Sequence, residues 1–312
     1  MIPSAEFSSM EAAVFARYAL SPKICHLSLA KPKLALRAYE IGKGEPILFM
    51  HGITLAAACW ASLLAKLPSS HSIAIDMPGH GGSEGTDHSK GDLRRFYTQM
   101  ILSCLDELGT RSAHLVGHSY GAMFALWLAL DSPERARSVV VVGTPSVAFG
   151  AHPDLMFRIL SLRGIGPAML STPSPLFIYR RMLAASLGPH AIAIMPPEVI
   201  RTSYLGMRRT GFAGTVSTYL REQFRGMNSR PQRYVLQDEE LKQIRKPVLI
   251  LWGEEDDRYQ SIAEGRERAA LIPNARFAVV PGGHAPWLDD VAACSREIEA
   301  FLARHHNISA RP

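Results

Sequence analysis

No stretch of about 18 uninterrupted apolar residues occurs in the 312-residue chain, so no membrane-spanning helix is expected. The opening Met1-Ile2-Pro3-Ser4-Ala5-Glu6 has no basic segment followed by an apolar one, and so does not read as a secretory signal. Cysteine is scarce. Cys25, Cys59, Cys104 and Cys294 stand far apart with no C-x-x-C spacing, which argues against a disulfide scaffold. They are expected as reduced, buried thiols in a cytoplasmic compartment. Metal-ligand spacing is missing as well, and the adjacent His305-His306 reads as a frayed helix end, so no metal is expected. Internal repeats and low-complexity tracts are absent. What remains, 47 % hydrophobic and 20 % charged residues, is the composition of a globular domain large enough to bury a substantial core.

Lysine is absent from one long segment. Between Ser146 and Gln237 there are eleven Arg and three acids (Asp154, Glu198 and Glu222), while the rest of the chain holds 23 bases against 25 acids. The whole formal surplus of +6 therefore arises in that segment. A solvated helical surface is the plain reading, and an anionic substrate the sharper one. Nucleic acid is not expected, because the arginines are scattered among apolar residues without a binding motif.

Strand and helix patterns alternate on either side of this segment. Strands are expected at Leu34–Glu40, Pro46–Met50, His71–Ile75, Ala113–Val116, Ser138–Val142, Pro247–Trp252 and Ala275–Val280. Helices are expected through Trp60–Leu67, Asp92–Leu108, Ala122–Leu130, Ser261–Leu271 and Asp289–Arg304. Such alternation implies an α/β fold, a mostly parallel twisted sheet with helices on both faces. From 146 to 237 the alternation stops. Eight prolines, Pro153 and Pro231 among them, and six of the twelve Met punctuate apolar helical patches. The expected organisation is a core of residues 1–145 and 238–312 with a helical insertion at 146–237.

Gly117-His118-Ser119-Tyr120-Gly121 follows the apolar run Ala113–Val116 and opens onto a helix. G-x-S-x-G in that context is a nucleophile elbow, a sharp turn that lifts the Ser119 hydroxyl into a cleft. A serine hydroxyl needs a base and a group to orient that base, and in a parallel sheet both belong in loops after strands. His284, directly after the last expected strand, is the best base among twelve His. His51 suits backbone work, His118 points away from Ser119, and His114 reads as a core residue. The loop after Trp252 offers Asp256 and Asp257 as the orienting acid, while Gly143-Thr144-Pro145 offers none. Asp76 opens a Pro/Gly turn and is expected to fasten it. An oxyanion hole needs two backbone N–H groups, expected from Ile53 and Tyr120.

Together the elbow, the His51-Gly52 loop, the Asp76-Met77-Pro78-Gly79-His80-Gly81 turn, Gly253-x-x-Asp256 and Gly283-His284 resemble the α/β-hydrolase superfamily, with its order Ser…Asp…His. The resemblance covers about residues 34–145 and 238–305, and residues 146–237 sit where such enzymes carry a cap domain. It favours Asp256 over Asp257. One departure is Arg258-Tyr259-Gln260, where many relatives have a Pro. A Ser at the elbow separates the chain from relatives that use Asp there, the epoxide hydrolases and haloalkane dehalogenases. The resemblance implies a carboxylic-ester hydrolase acting through an acyl-enzyme on Ser119, with no cofactor and a small ester-like substrate, neutral or anionic. Trp287 would line the pocket or pack. The alternatives are a carbon–carbon bond hydrolase of acidic ring-cleavage products, a lactonase or thioesterase, and a ligand receptor on the same scaffold.

Overall fold

The computed structural model describes residues 5–89, 91–152, 154–224 and 232–305. Met1–Ser4, Pro153, Pro231 and His306 lie outside the described residues. Eight strands form one sheet: β1 (Lys23–Leu29), β2 (Leu34–Ile41), β3 (Glu45–Met50), β4 (Ser70–Ile75), β5 (Ala113–His118), β6 (Ala136–Val142), β7 (Val248–Gly253) and β8 (Ala275–Val280). Their spatial order is β1-β2-β4-β3-β5-β6-β7-β8. β1 and β2 run antiparallel at one edge, and β4 to β8 with β3 are mutually parallel.

The central strands read as near-continuous apolar runs because both faces are covered, and β5, β6 and β7 are almost entirely buried. One face packs on the helices Leu93–Glu107 and Tyr120–Asp131, the other on Val291–His305 and the short turns at 57–64. Chain order reverses direction at β3. It runs to β4 on one side, and β5 lies on the other. This switch point opens a crevice at the carboxyl ends of β3 and β5, where open α/β sheets bind ligands.

Several expected elements differ in detail. The helix through Trp60–Leu67 is a 3-10 turn at Ala57–Trp60 followed by a single helical turn, Ala61–Leu64. The last helix starts at Val291, because Pro286–Asp289 forms its own turn and the Asp289 side chain folds back to accept the Gly283 N–H at 2.9 Å. The helix Ala5–Arg17 and the edge strand β1 are additions to the sequence reading. All four cysteines are free. Three are buried, and Cys25, on the edge strand, is only half-buried. Within 146–237 the described residues form six α-helices, from Leu155–Leu160 to Phe212–Gln223. The arginines of this segment are partly spent on acids elsewhere: Arg201 reaches Glu6 at 3.0 Å and Arg233, in the turn after the last of these helices, reaches Asp92 at 2.6 Å. Among the described residues no helix is long and apolar enough to cross a membrane.

Candidate active site

β5 ends at His118, and the helix Tyr120–Asp131 begins one residue after Ser119, leaving Ser119 alone to make the turn. Its φ of 53° and ψ of −114° lie where non-glycine residues rarely go. Such a conformation costs about 1–3 kcal/mol and persists only where the surroundings impose it. They do so here. The Ser119 N–H donates to the Val142 carbonyl, and the Ser119 carbonyl accepts from Ala122 and Met123. A Cβ on Gly121 would collide with the Met50 carbonyl, and one on Gly117 with the Ala122 backbone. The helix N-terminus lies beneath the hydroxyl and favours negative charge there.

His284 follows β8. Its Nδ1 lies 3.0 and 3.1 Å from the two Asp256 carboxylate oxygens, and both side chains are buried. Asp256, not the exposed Asp257, makes this contact. The same carboxylate accepts the Thr144 N–H at 2.8 Å and the Thr144 hydroxyl at 3.0 Å, while the Trp252 indole N–H holds the Asp256 carbonyl at 2.8 Å. Burial pushes the Asp256 carboxyl upward, but His284 and the Thr144 donors outweigh it and hold it below the usual range. With Nδ1 committed to Asp256, Nε2 is the nitrogen left to serve Ser119.

Ser119, His284, Ile53 and Tyr120 line one cavity of about 50 Å³. Neither the Ile53 nor the Tyr120 N–H has a protein hydrogen-bond partner among the described residues. Two histidines fix the loop that carries Ile53. The His51 Nε2 accepts the Met77 N–H at 3.0 Å, so its Nδ1 is the donor to the Gly52 carbonyl at 2.8 Å. Burial, with His80 beside it, keeps His51 neutral by lowering its pKa well below the usual value. The His80 Nε2 meets the Ile53 carbonyl at 2.7 Å. Asp76 fastens the adjoining turn by accepting the Ala57 and Gly82 N–H groups. His114 is a core residue whose Nδ1 meets the Ser138 hydroxyl at 2.7 Å.

Of the two readings of Trp287, lining or packing, packing is the one observed. The residue is 1 % exposed, stacks on Trp60 at 4.3 Å and donates to the Cys59 carbonyl at 3.1 Å, so it packs and does not line the cavity. Sequence reasoning missed four residues that shape the site. Thr144 stands in the Gly143-Thr144-Pro145 loop, which carries no acid and so no sequence signal of its role. His118 donates from Nε2 to the His284 carbonyl at 3.0 Å and so fixes its backbone. Asp289 anchors the same loop through Gly283. Tyr259 sets its ring edge-on to His284 at 4.9 Å and hydrogen-bonds Ser186 at 3.1 Å. Only Tyr259 had a sequence signal, the missing Pro. The helix Leu176–Leu187 also reaches the site, where the Leu187 carbonyl accepts the His284 N–H at 3.1 Å.

Comparison with known proteins agrees with this fold. The family model described as "Alpha/beta hydrolase family" matches residues 47–297. The chain is 28 % identical to 2-hydroxymuconate semialdehyde hydrolase of Pseudomonas putida over 274 residues, covering 85 % of this chain and 89 % of that protein. It is 26 % identical to 2-hydroxy-6-oxononadienedioate/2-hydroxy-6-oxononatrienedioate hydrolase of Paraburkholderia phymatum, covering 79 % and 83 %. Among solved structures, carboxylesterase CesB (YbfK) of Bacillus subtilis superposes with a TM-score of 0.74 at 19 % identity, covering 96 % of this chain and 98 % of that one. The chain belongs to the α/β-hydrolase family and is a hydrolase.

Proposed function

We propose that the protein is a serine hydrolase that cleaves a carboxylic ester through an acyl-enzyme, with residues 146–237 acting as its cap. The observation that carries this reading is the Thr144–Asp256–His284 chain of hydrogen bonds, converging on a cavity that also holds Ser119 in its forced turn. The Ser119 hydroxyl attacks the ester carbonyl while His284 takes its proton. The tetrahedral oxyanion is held by the Ile53 and Tyr120 N–H groups. The carbon–oxygen bond breaks, and His284 gives the proton to the departing alcohol. Water, deprotonated by His284, then releases the acid and restores Ser119. Asp256 keeps the His284 tautomer and stabilises the imidazolium.

The names of the two curated relatives favour a second reading, carbon–carbon cleavage of an acidic ring-cleavage product. The lining of the Ser119 cavity weighs against it. Among the described residues it includes no Arg or Lys to meet a carboxylate. A panel of neutral esters, lactones, thioesters and vinylogous diketo acids separates the readings. Ester turnover abolished by His284→Ala supports the proposal. Turnover confined to the diketo acids selects the second reading, and saturable binding without turnover selects a receptor.

A further inference from the structure

Beside the Ser119 cavity lies a second chamber of about 530 Å³. The two share Ile53, Thr54, Phe157, Ser186 and Tyr259 as lining, so they adjoin along one wall. The inner cavity of about 50 Å³ has room for a reacting group and little more. The chamber has the volume of a complete ligand site. Its remaining wall is largely aliphatic, with Leu160, Ile178, Met182 and Val216 contributed by three of the helices between β6 and β7. The charged groups that reach it do not make it polar. Asp154 is paired with Arg258 at 3.0 Å, and Arg181 is exposed to solvent. Arg258 neutralises the one acid of the chamber wall, and Tyr259 forms the partition, its ring against His284 and its hydroxyl on Ser186.

We propose that this chamber takes the apolar chain of the ester, laid from Ser119 past Tyr259 along the helix Leu176–Leu187. The inference rests on the serine-esterase reading above. A doubly charged substrate would meet one cation there, the solvent-exposed Arg181, and would have to bring its second charge from water to an aliphatic wall, which is costly without a partner. An apolar chain gains by the same transfer. The chain belongs to the acyl or to the alcohol half of the ester, and two substrate series tell them apart.

The test uses p-nitrophenyl esters from acetate to dodecanoate, and acetate esters of alcohols over the same lengths. In one series kcat/KM is expected to rise about 4-fold per methylene until the chamber is filled. Ala185 lines the chamber but is exposed, so Ala185→Trp narrows the space without entering the core. In this variant the ratio of kcat/KM on the octanoyl or octyl ester to that on the shortest is expected to fall at least tenfold. Flat series in both arms, or a loss equal at all lengths, overturn the inference while leaving the esterase reading intact. Absence of all ester turnover overturns the reading instead, and the chamber is then judged by calorimetry on Ser119→Ala. Decanoate is expected to bind more tightly than butanoate with a negative heat-capacity change, and equal binding of the two overturns it.

Discussion

Thr144 grips Asp256 twice, through its N–H at 2.8 Å and its hydroxyl at 3.0 Å, on the same oxygen that lies 3.0 Å from the His284 Nδ1. The carboxylate therefore cannot swing away from the imidazole without breaking bonds to the end of β6. Thr144→Ala removes the hydroxyl and leaves the N–H. It is expected to lower kcat about tenfold, since a hydrogen bond to a charged group contributes about 1.5–3 kcal/mol and one donor stays. KM should stay within twofold, and Thr144→Ser should restore the rate. A change in KM alone, or failure of the Ser variant to rescue, contradicts a positioning role.

Glu11, on the helix Ala5–Arg17, and Arg37, on β2, form a second buried pair. The Arg37 guanidinium donates to both Glu11 oxygens, at 2.9 and 2.5 Å, and the Tyr39 hydroxyl donates to the same carboxylate. Arg37 is 2 % exposed. Removing one partner of such a pair leaves an uncompensated charge and costs about 3–5 kcal/mol. Burial raises the Glu11 carboxyl to about 7, so the full ion pair is present above that pH, and Glu11→Ala is expected to lose that much in urea unfolding at pH 9. Replacing both, Glu11→Leu with Arg37→Met, should cost less than Glu11→Ala alone, and a larger loss in the double variant contradicts the assignment.

His88 should make stability depend on pH. It is buried, its Nε2 lies 3.1 Å from the Tyr97 hydroxyl, and its ring meets Phe96 edge-on. Burial lowers its pKa to about 4. In the unfolded chain a histidine titrates near 6.5. Its contribution is thus complete above about pH 6.5 and is lost as pH falls toward 4, amounting to about 2 kcal/mol at pH 5. Burial lowers His51, His80 and His118 in the same direction. Denaturant midpoints at pH 7 and pH 5 should show a drop in stability that His88→Phe reduces by about 2 kcal/mol. An unchanged drop in the variant contradicts the buried neutral ring.

The alternating core was legible because each parallel strand is covered on both faces and so reads as a short apolar run, as in β3, β6 and β7. The helix Ala5–Arg17 was not, because Glu11 interrupts its buried stripe of Phe7, Val14 and Phe15, and only Arg37, far along the chain, explains a carboxylate there. β1 is an edge strand with mostly exposed side chains, which blurs the period of two. At the site, the strand-end loops that carry Ser119, His284 and Asp256 were legible. Thr144 and His118 were not, since each acts through contacts about 110 and 166 residues away in sequence. Trp287 could have lined or packed, and its partner Trp60 became visible only when the loops came together.

Covalent labelling tests the central claim most directly. A fluorophosphonate probe forms a stable bond only with an activated serine. Mass spectrometry of the labelled protein is expected to place one adduct on the peptide containing Ser119. Ser119→Ala should carry none, and His284→Ala should be labelled far more slowly. Labelling of Ser119→Ala at the wild-type rate, or an adduct on another residue, would contradict the assignment of Ser119 as the nucleophile.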